Sequence, residues 1–354
     1  MEQPVIKVNT PTVPFLNKLR ENLLRWVRLT NRPVVKLYHG YGSKDEIVVL
    51  GHVLHLSPLP RKKYRRNVWT NTFALIRLFM VKPLRGVRVR LTFQGETIET
   101  VSEADGFFRV QWKPVKMPSA GWHVVKAILA EGMVKQFYGT VSSEGSIYIP
   151  HTNQYAIISD IDDTFLISYS SHLGKRLYVM LTENAWSRKP FEGVVKHYQA
   201  LGLAGTAVEE PNPFFYVSSS EWNLYDYISE FSRKNGLPKG IYLLSQIKRL
   251  SESWKTGQNN HATKFVRISR VLQAFPEHRF ILLGDDSQQD PFIYASVVQH
   301  FGQQIRAVYL RNVFTKNEVL VKAAIEKITA AGISVCHFEH SKEAMEHSRK
   351  IGLI

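Results

Sequence analysis

Apolar and polar positions follow two different rhythms along this chain. In "VRVRLTFQ" (87–94), Val87, Val89, Leu91 and Phe93 alternate with Arg88, Arg90, Thr92 and Gln94, the period of a strand with one buried face. A turn at "EADG" leads into "FFRVQW", which alternates again. "WHVVKAILA", "MVKQFYGTV", a turn at "SSEGS" and then "IYI" follow. Short strands separated by turns predict a small antiparallel β-sandwich. From 154 onward the rhythm changes. "YAIIS", "FFYVS", "RFILLG", "IRAVYL" and "ISVCHF" are apolar runs separated by helical patterns, as in an α/β fold with a mainly parallel sheet. Ahead of both, "PFLNKLRENLLRWVRLTN" places Leu16, Leu19, Leu23 and Val27 on one helical face, and Pro33 ends the pattern. The expected organisation is an N-terminal amphipathic helix and linker over 1–33, a β-sandwich domain over 34–150, and an α/β domain over 151–354.

Charge narrows the partners. The 354 residues carry a formal net charge of +16, which favours phosphate esters, anionic membrane surfaces or nucleic acid. Cys336 is the single cysteine, so no internal disulfide can form and a reducing, cytoplasmic setting is expected. The first residues have no signal-like apolar core. No run reaches the roughly 18 apolar residues of a spanning helix. A peripheral contact with an anionic membrane is compatible with this charge; the run "RKKYRR" (61–66) and the N-terminal helix are its candidate elements.

Three of the α/β strands end in polar chemistry. "YAIIS" runs into Asp160-Ile161-Asp162-Asp163-Thr164, "FFYV" into Ser218-Ser219-Ser220-Glu221, and "RFILLG" into Asp285-Asp286. Ahead of the last strand, a helical pattern carries Lys264 near its start. Strand carboxyl ends are where open α/β sheets bind ligands. Each group alone has a plain reading: a capping turn, a loop serine, a solvated lysine, a Gly-Asp turn. Together, in this order, they make one reaction. Asp160 is a nucleophile for phosphorus. Asp162 is an acid and then a base. The Ser218 hydroxyl holds a phosphoryl oxygen, with Thr164 and Ser219 as further substrate contacts. Like charges at ~4 Å cost about 4 kcal/mol per pair at an effective dielectric of ~20, so the acids need a cation. Mg²⁺ is the ordinary choice with phosphates, held by Asp160, Asp162 and Asp285, and Lys264 supplies a further positive charge.

With these motifs, the chain resembles the haloacid dehalogenase (HAD) superfamily. More closely, "IISDIDDTFL", "FFYVSSSEWNLYDYISEF", "LPKGIYLL" and "LLGDDSQQDPFIYA" resemble the catalytic domain of phosphatidate phosphatases of the actin-patch-protein type. The resemblance covers most of 154–354. It implies a Rossmann-like, HAD-like sheet and Mg²⁺-dependent hydrolysis of phosphatidate or a related phosphomonoester. It gives Asp160, Asp162, Ser218, Lys264 and Asp285 the roles above, with Asp162 ligating metal through its backbone carbonyl. It also points to Arg188 in "AWSRKPF" as a substrate contact, inside the stretch 166–213 that forms the cap in that superfamily. Two positions depart from its pattern. Glu221 stands where proline is usual, and Asp286 where a small polar residue is usual; such extra acids either narrow the substrate range or face solvent.

Other classes have less in their favour. A receiver domain also gathers acids, a hydroxyl and a lysine, but its acidic pair precedes a separate acceptor strand. Soluble phosphomonoesters, pyrophosphate or polynucleotide ends are alternative substrates. The one basic-aromatic run, "RKKYRRNVW", is short, so nucleic acid is an unlikely partner. A non-catalytic membrane-binding scaffold would have no need of the intact acids and lysine.

Overall fold

The structure, a computed structural model, describes residues 29–30, 32–58, 73, 76–129, 139–151, 154–165, 189–247, 260–287, 289–313 and 318–354. Most of the expected N-terminal helix, the run 61–66 and Arg188 lie outside these residues.

Ten strands come first: β1 (Leu29–Thr30), β2 (Val34–Leu37), β3 (Gly40–Gly42), β4 (Ile47–Pro58), β5 (Lys82–Pro83), β6 (Arg88–Phe93), β7 (Glu96–Val101), β8 (Phe107–Trp112), β9 (Gly121–Leu129) and β10 (Val141–Ile149). Hydrogen bonds join them into one sheet branched at β4, which pairs with β1, β2, β3, β5 and β8. All its pairings are antiparallel except that of β3 with β10. The sheet encloses a core drawn from several strands, including Val35, Val49, Leu91, Phe108, Ala127 and Ile147.

Three details differ from expectation. Leu29–Thr30, the end of the predicted helix, is extended and pairs with Ser57–Pro58. "SSEGS" is not a turn. It runs through β10, each residue paired with β9, with Ser142 and Glu144 on its exposed face and Ser143 and Gly145 half-buried on the other; Glu144 meets its cross-strand partner Lys126 at 3.0 Å. Gly145 sits there because a Cβ would come within 2.8 Å of Leu37. The third difference is a strand absent from the apolar runs counted above, in "LPKGIYLL" and the residue after it. There "GIYLLS" is a fully buried strand, β13 (Gly240–Ser245).

The second sheet is α/β and wholly parallel. Its strands are β11 (Tyr155–Ser159), β12 (Phe214–Glu221), β13, β14 (Arg279–Asp285), β15 (Ile305–Arg311) and β16 (Ser334–Phe338), in the order β13-β12-β11-β14-β15-β16. Helices α1 (Val194–Gly202), α2 (Tyr225–Asn235), α3 (Asn260–Ala274), α4 (Asp290–Phe301), α5 (Glu318–Ala330) and α6 (Ser341–Lys350) accompany it. Burial on both faces explains the unbroken apolar strands. The two sheets share one core, since Tyr38, Tyr41, Val48, Leu50 and Tyr148 cluster with Phe215, Trp222 and Phe275. Tyr38 stacks on Trp222 with centroids 4.1 Å apart. Among the described residues no helix is long and apolar enough to cross a membrane.

Candidate active site

The acids gather where β11 and β14 end side by side. Asp160 follows β11 directly, and its N–H donates to Leu283 O at 2.8 Å. Asp163 adopts a left-handed φ of 56°, which Asp tolerates better than most residues. That turn brings Thr164 back over the strand end. Its Oγ1 lies 3.4 Å from Asp160 Oδ2 and 3.3 Å from Asp285 Oδ2. Asp285 ends β14 and is oriented by Ser287, whose N–H donates at 2.7 Å and whose hydroxyl also donates to the same oxygen.

Lys264, on α3 and only 3% exposed, donates from Nζ to Asp160 Oδ1 at 2.6 Å and also to Asp290 Oδ1. Asp290 opens α4, followed by Pro291. An acid suits the positive end of a helix. Gly284 makes room for it, because a Cβ there would lie 2.6 Å from Asp290 Oδ2.

Asp160, Asp285 and Asp290 each present a carboxylate oxygen, and these oxygens lie within 4.8 Å of one another. Three buried carboxylates against one ammonium leave two negative charges uncompensated. Without a cation, burial pushes the Asp160 carboxyl up to about 8, against the pull of Lys264. Burial, then Asp290 and Asp160, push Asp285 up as well. Burial works to lower the Lys264 pKa, but Asp160 and Asp290 outweigh it, and the net shift is upward. Asp290 Oδ2 is buried and has no hydrogen-bond partner among the described residues. A buried carboxylate oxygen left unsatisfied is costly. Hard oxygen donors with an orphaned lone pair and excess negative charge fit a small divalent cation.

The carboxylate of Asp162 turns the other way, to the end of β12. Ser220 Oγ donates to its Oδ2 at 2.7 Å and Ser218 Oγ at 3.3 Å. Ser220 N–H in turn donates to Ser218 Oγ at 2.9 Å. Arg267, three residues after Lys264, supports this strand end by donating to Ser218 O at 3.1 Å. Burial lowers the Arg267 pKa to about 10, although Asp160 works to raise it.

The structure therefore brings Asp160, Asp162, Thr164, Ser218, Lys264 and Asp285 to one region. Ser219, half-buried between two serines that reach Asp162, is not part of this set. Lys189, the described neighbour of Arg188, is exposed. Asp286 does not face solvent. It is buried, accepting from Val313 N–H at 2.8 Å and lying 3.0 Å from His337 Nε2. Glu221 is half-buried at the end of β12.

Sequence reasoning assigned no role to Asp290, Ser220 or Arg267. The signal for Asp290 was present: an acid before proline at a helix start, just after a Gly-Asp strand end. Cavities of about 850 and 520 Å³ open between the two sheets, but Asp160, Asp285 and Lys264 line neither. The site is identified by its chemistry and not by its volume.

Comparison with known proteins agrees with the motifs. Residues 155–312 match the family described as the catalytic domain of phosphatidate phosphatase APP1, a span that holds every acid of the cluster. Phosphatidate phosphatase APP1 of Saccharomyces cerevisiae is 28% identical over 160 residues, covering 44% of this chain and 25% of that protein. The uncharacterized protein C29B5.04c of Schizosaccharomyces pombe is 24% identical over 165 residues, covering 46% of this chain and 26% of that protein. The chain thus spans about a quarter of the length of the curated relatives it matches. Among solved structures, a carbohydrate acetylesterase from Xanthomonas citri aligns over 90% of this chain and 75% of its own, with a TM-score of 0.32 and 9% identity; a likeness this low carries no argument. The part of the chain that gathers the acidic residues is similar to the catalytic domain of the phosphatidate phosphatase APP1 family.

Proposed function

We propose that this chain is a Mg²⁺-dependent phosphatase that forms an aspartyl phosphate at Asp160, acting on phosphatidate or a related phosphomonoester. The observation that carries this reading is the contact of Lys264 with both Asp160 and Asp290 beside Asp285. It sets one ammonium among three buried carboxylates at the ends of parallel strands, inside the segment similar to the APP1 catalytic domain. In this reading the second sheet is HAD-like, 151–354 is the catalytic part, and 34–150 is accessory to it.

Asp160, Asp285 and Asp290 would hold the cation, with the Asp162 carbonyl as a further donor. When bound, it offsets phosphate charge and polarises a phosphoryl oxygen. The chain's own groups do the rest. One Asp160 oxygen attacks phosphorus in line as the bond from phosphorus to the ester oxygen breaks. Asp162 gives its proton to that leaving oxygen, which departs as an alcohol. Asp162, now a carboxylate, takes a proton from water as the water oxygen attacks the aspartyl phosphate. Inorganic phosphate leaves and Asp160 recovers its carboxylate. Ser218 and Ser220 keep Asp162 turned toward the strand end, and Lys264 offsets charge beside the nucleophile. With substrate bound, the Ser218 hydroxyl, which has a single proton to donate, exchanges Asp162 for a phosphoryl oxygen, and Ser220 keeps Asp162 in place.

The test is phosphate release across a panel: phosphatidate in micelles, soluble phosphomonoesters, pyrophosphate and 5′-phosphorylated oligonucleotide. Asp160→Asn serves as the blank. Hydrolysis of phosphatidate that vanishes with Asp160→Asn, and reversibly on chelation of Mg²⁺, is the expected result. Near wild-type turnover by Asp160→Asn would overturn the nucleophile assignment. Release from pyrophosphate or oligonucleotide alone would overturn the substrate assignment.

A further inference from the structure

Arg311, the last residue of β15, is only 2% exposed. A buried guanidinium is expensive unless its donors and its charge are answered. Its hydrogen-bond partners are two carbonyls and a hydroxyl, not a carboxylate. Nε donates to Thr164 O at 3.0 Å, Nη1 to Glu339 O at 3.1 Å and Nη2 to Ser341 Oγ at 2.8 Å. The rings of Phe191 and Phe338 lie 4.3 and 4.8 Å from its Cζ, where a planar cation is favoured on aromatic faces.

These partners have a pattern. Thr164 is the residue whose hydroxyl spans Asp160 and Asp285. It also stands where the chain leaves β11 for the stretch 166–188. Phe191 stands where the chain returns, and its N–H donates to Phe165 O at 3.2 Å. Gly193, at φ 73°, packs so close that a Cβ would lie 3.3 Å from the Cβ of Ser341, itself a partner of Arg311.

We propose that Arg311 is a positioning residue for the acidic site. One guanidinium holds both ends of the stretch between Phe165 and Lys189 and, through the Thr164 carbonyl, the hydroxyl that spans Asp160 and Asp285. Lysine cannot replace it, because a point charge with one nitrogen cannot reach three acceptors and fill the slot between two rings. In its effect on turnover this inference rests on the phosphatase reading. In its effect on the two chain ends it does not.

Two measurements separate these. Hydrogen exchange of the full chain reads the Phe165 and Phe191 amides directly. In Arg311→Lys both exchange faster, by at least about tenfold, while amides of β12 are unchanged. No change at either end overturns the proposal whether or not the protein hydrolyses any ester. The second measurement is turnover of p-nitrophenyl phosphate. A displacement of about 1 Å costs about 100-fold, so Arg311→Ala and Arg311→Lys lose kcat on that order with KM changed little. Added guanidinium restores much of the loss in Arg311→Ala, whereas methylammonium does not. If Arg311→Ala does not fold, Arg311→Lys and Phe191→Leu carry the test; wild-type kcat in both overturns the proposal, as does equal rescue by methylammonium. A wild-type chain inert toward every phosphoester, with faster exchange in Arg311→Lys, would sink the phosphatase reading and leave the anchoring role standing.

Discussion

The Ser220 hydroxyl lies 2.7 Å from Asp162 Oδ2, closer than the Ser218 hydroxyl at 3.3 Å. Ser220 is thus the stronger anchor of that carboxylate. A hydrogen bond to a charged group is worth about 1.5–3 kcal/mol, so Ser220→Ala should lower kcat by at least about tenfold. Ser219→Ala should change it less than about twofold, because its side chain is outside the set. Steady-state kinetics of the two variants check this, and a larger loss in Ser219→Ala would reverse the assignment.

Stability should depend on pH in a direction set by the acidic cluster. Burial raises Asp160 to about 8 and Asp285 upward too. An acid raised in the fold binds protons that the unfolded chain has released. Its contribution to stability is therefore present below the unfolded carboxylate range, near 4, and is lost as pH climbs toward 8. The cation-free chain should melt at lower temperature at pH 8 than at pH 5.5. Mg²⁺ should raise the melting temperature more at pH 8, where the acids are free to bind it. Calorimetry in chelator and in Mg²⁺ at both values decides; a cation-free chain more stable at pH 8 would contradict the cluster's charge balance.

Asp286 should behave as a structural acid. Its removal leaves the part-buried Val313 N–H without this acceptor, and an unsatisfied buried donor costs about 1–3 kcal/mol. Asp286→Ala should lower the unfolding free energy by that amount without changing the ranking of substrates. Denaturant melts and the substrate panel test it; an altered ranking with unchanged stability would return Asp286 to the site.

Membrane docking makes a prediction independent of the site. Arg61, Lys62, Lys63, Arg65 and Arg66 form the run of densest positive charge in the sequence, and each basic residue near an anionic leaflet is worth about 1 kcal/mol. Neutralising the five should weaken binding to anionic vesicles and hydrolysis of vesicular phosphatidate, with p-nitrophenyl phosphate turnover unchanged. Wild-type binding should weaken as salt rises, through screening over about 8–10 Å at physiological strength. Equal loss on both substrates would exclude the run as a docking surface.

Much of this site is legible from the sequence because charge at the end of a buried apolar run has no folding reason to be there. That logic singles out Asp160 and Asp285, and the order of motifs adds Ser218 and Lys264. It fails where a contact depends on the path of the chain after the strand. Asp290 returns to the cluster only because Gly284 leaves room for it. Ser220, not Ser219, shares the face of Ser218, as two-residue periodicity allows but a motif alone does not say. Arg311 reads as an ordinary polar residue closing "IRAVYLR", since nothing local announces five distant partners. In the first sheet, "SSEGS" has turn composition but strand pairing, because cross-strand neighbours outweigh local preference.

The stacking of Tyr38 on Trp222 has a consequence for what can be cut. Trp222 lies just beyond the serines that hold Asp162, and Tyr225 and Phe215 also meet rings from the first sheet. A fragment beginning at residue 151 would contain every residue of the matched segment 155–312 and would still place these rings in water. The stretch that similarity detects is therefore smaller than the stretch that folds, and the serine end of the site inherits its rigidity from strands outside it.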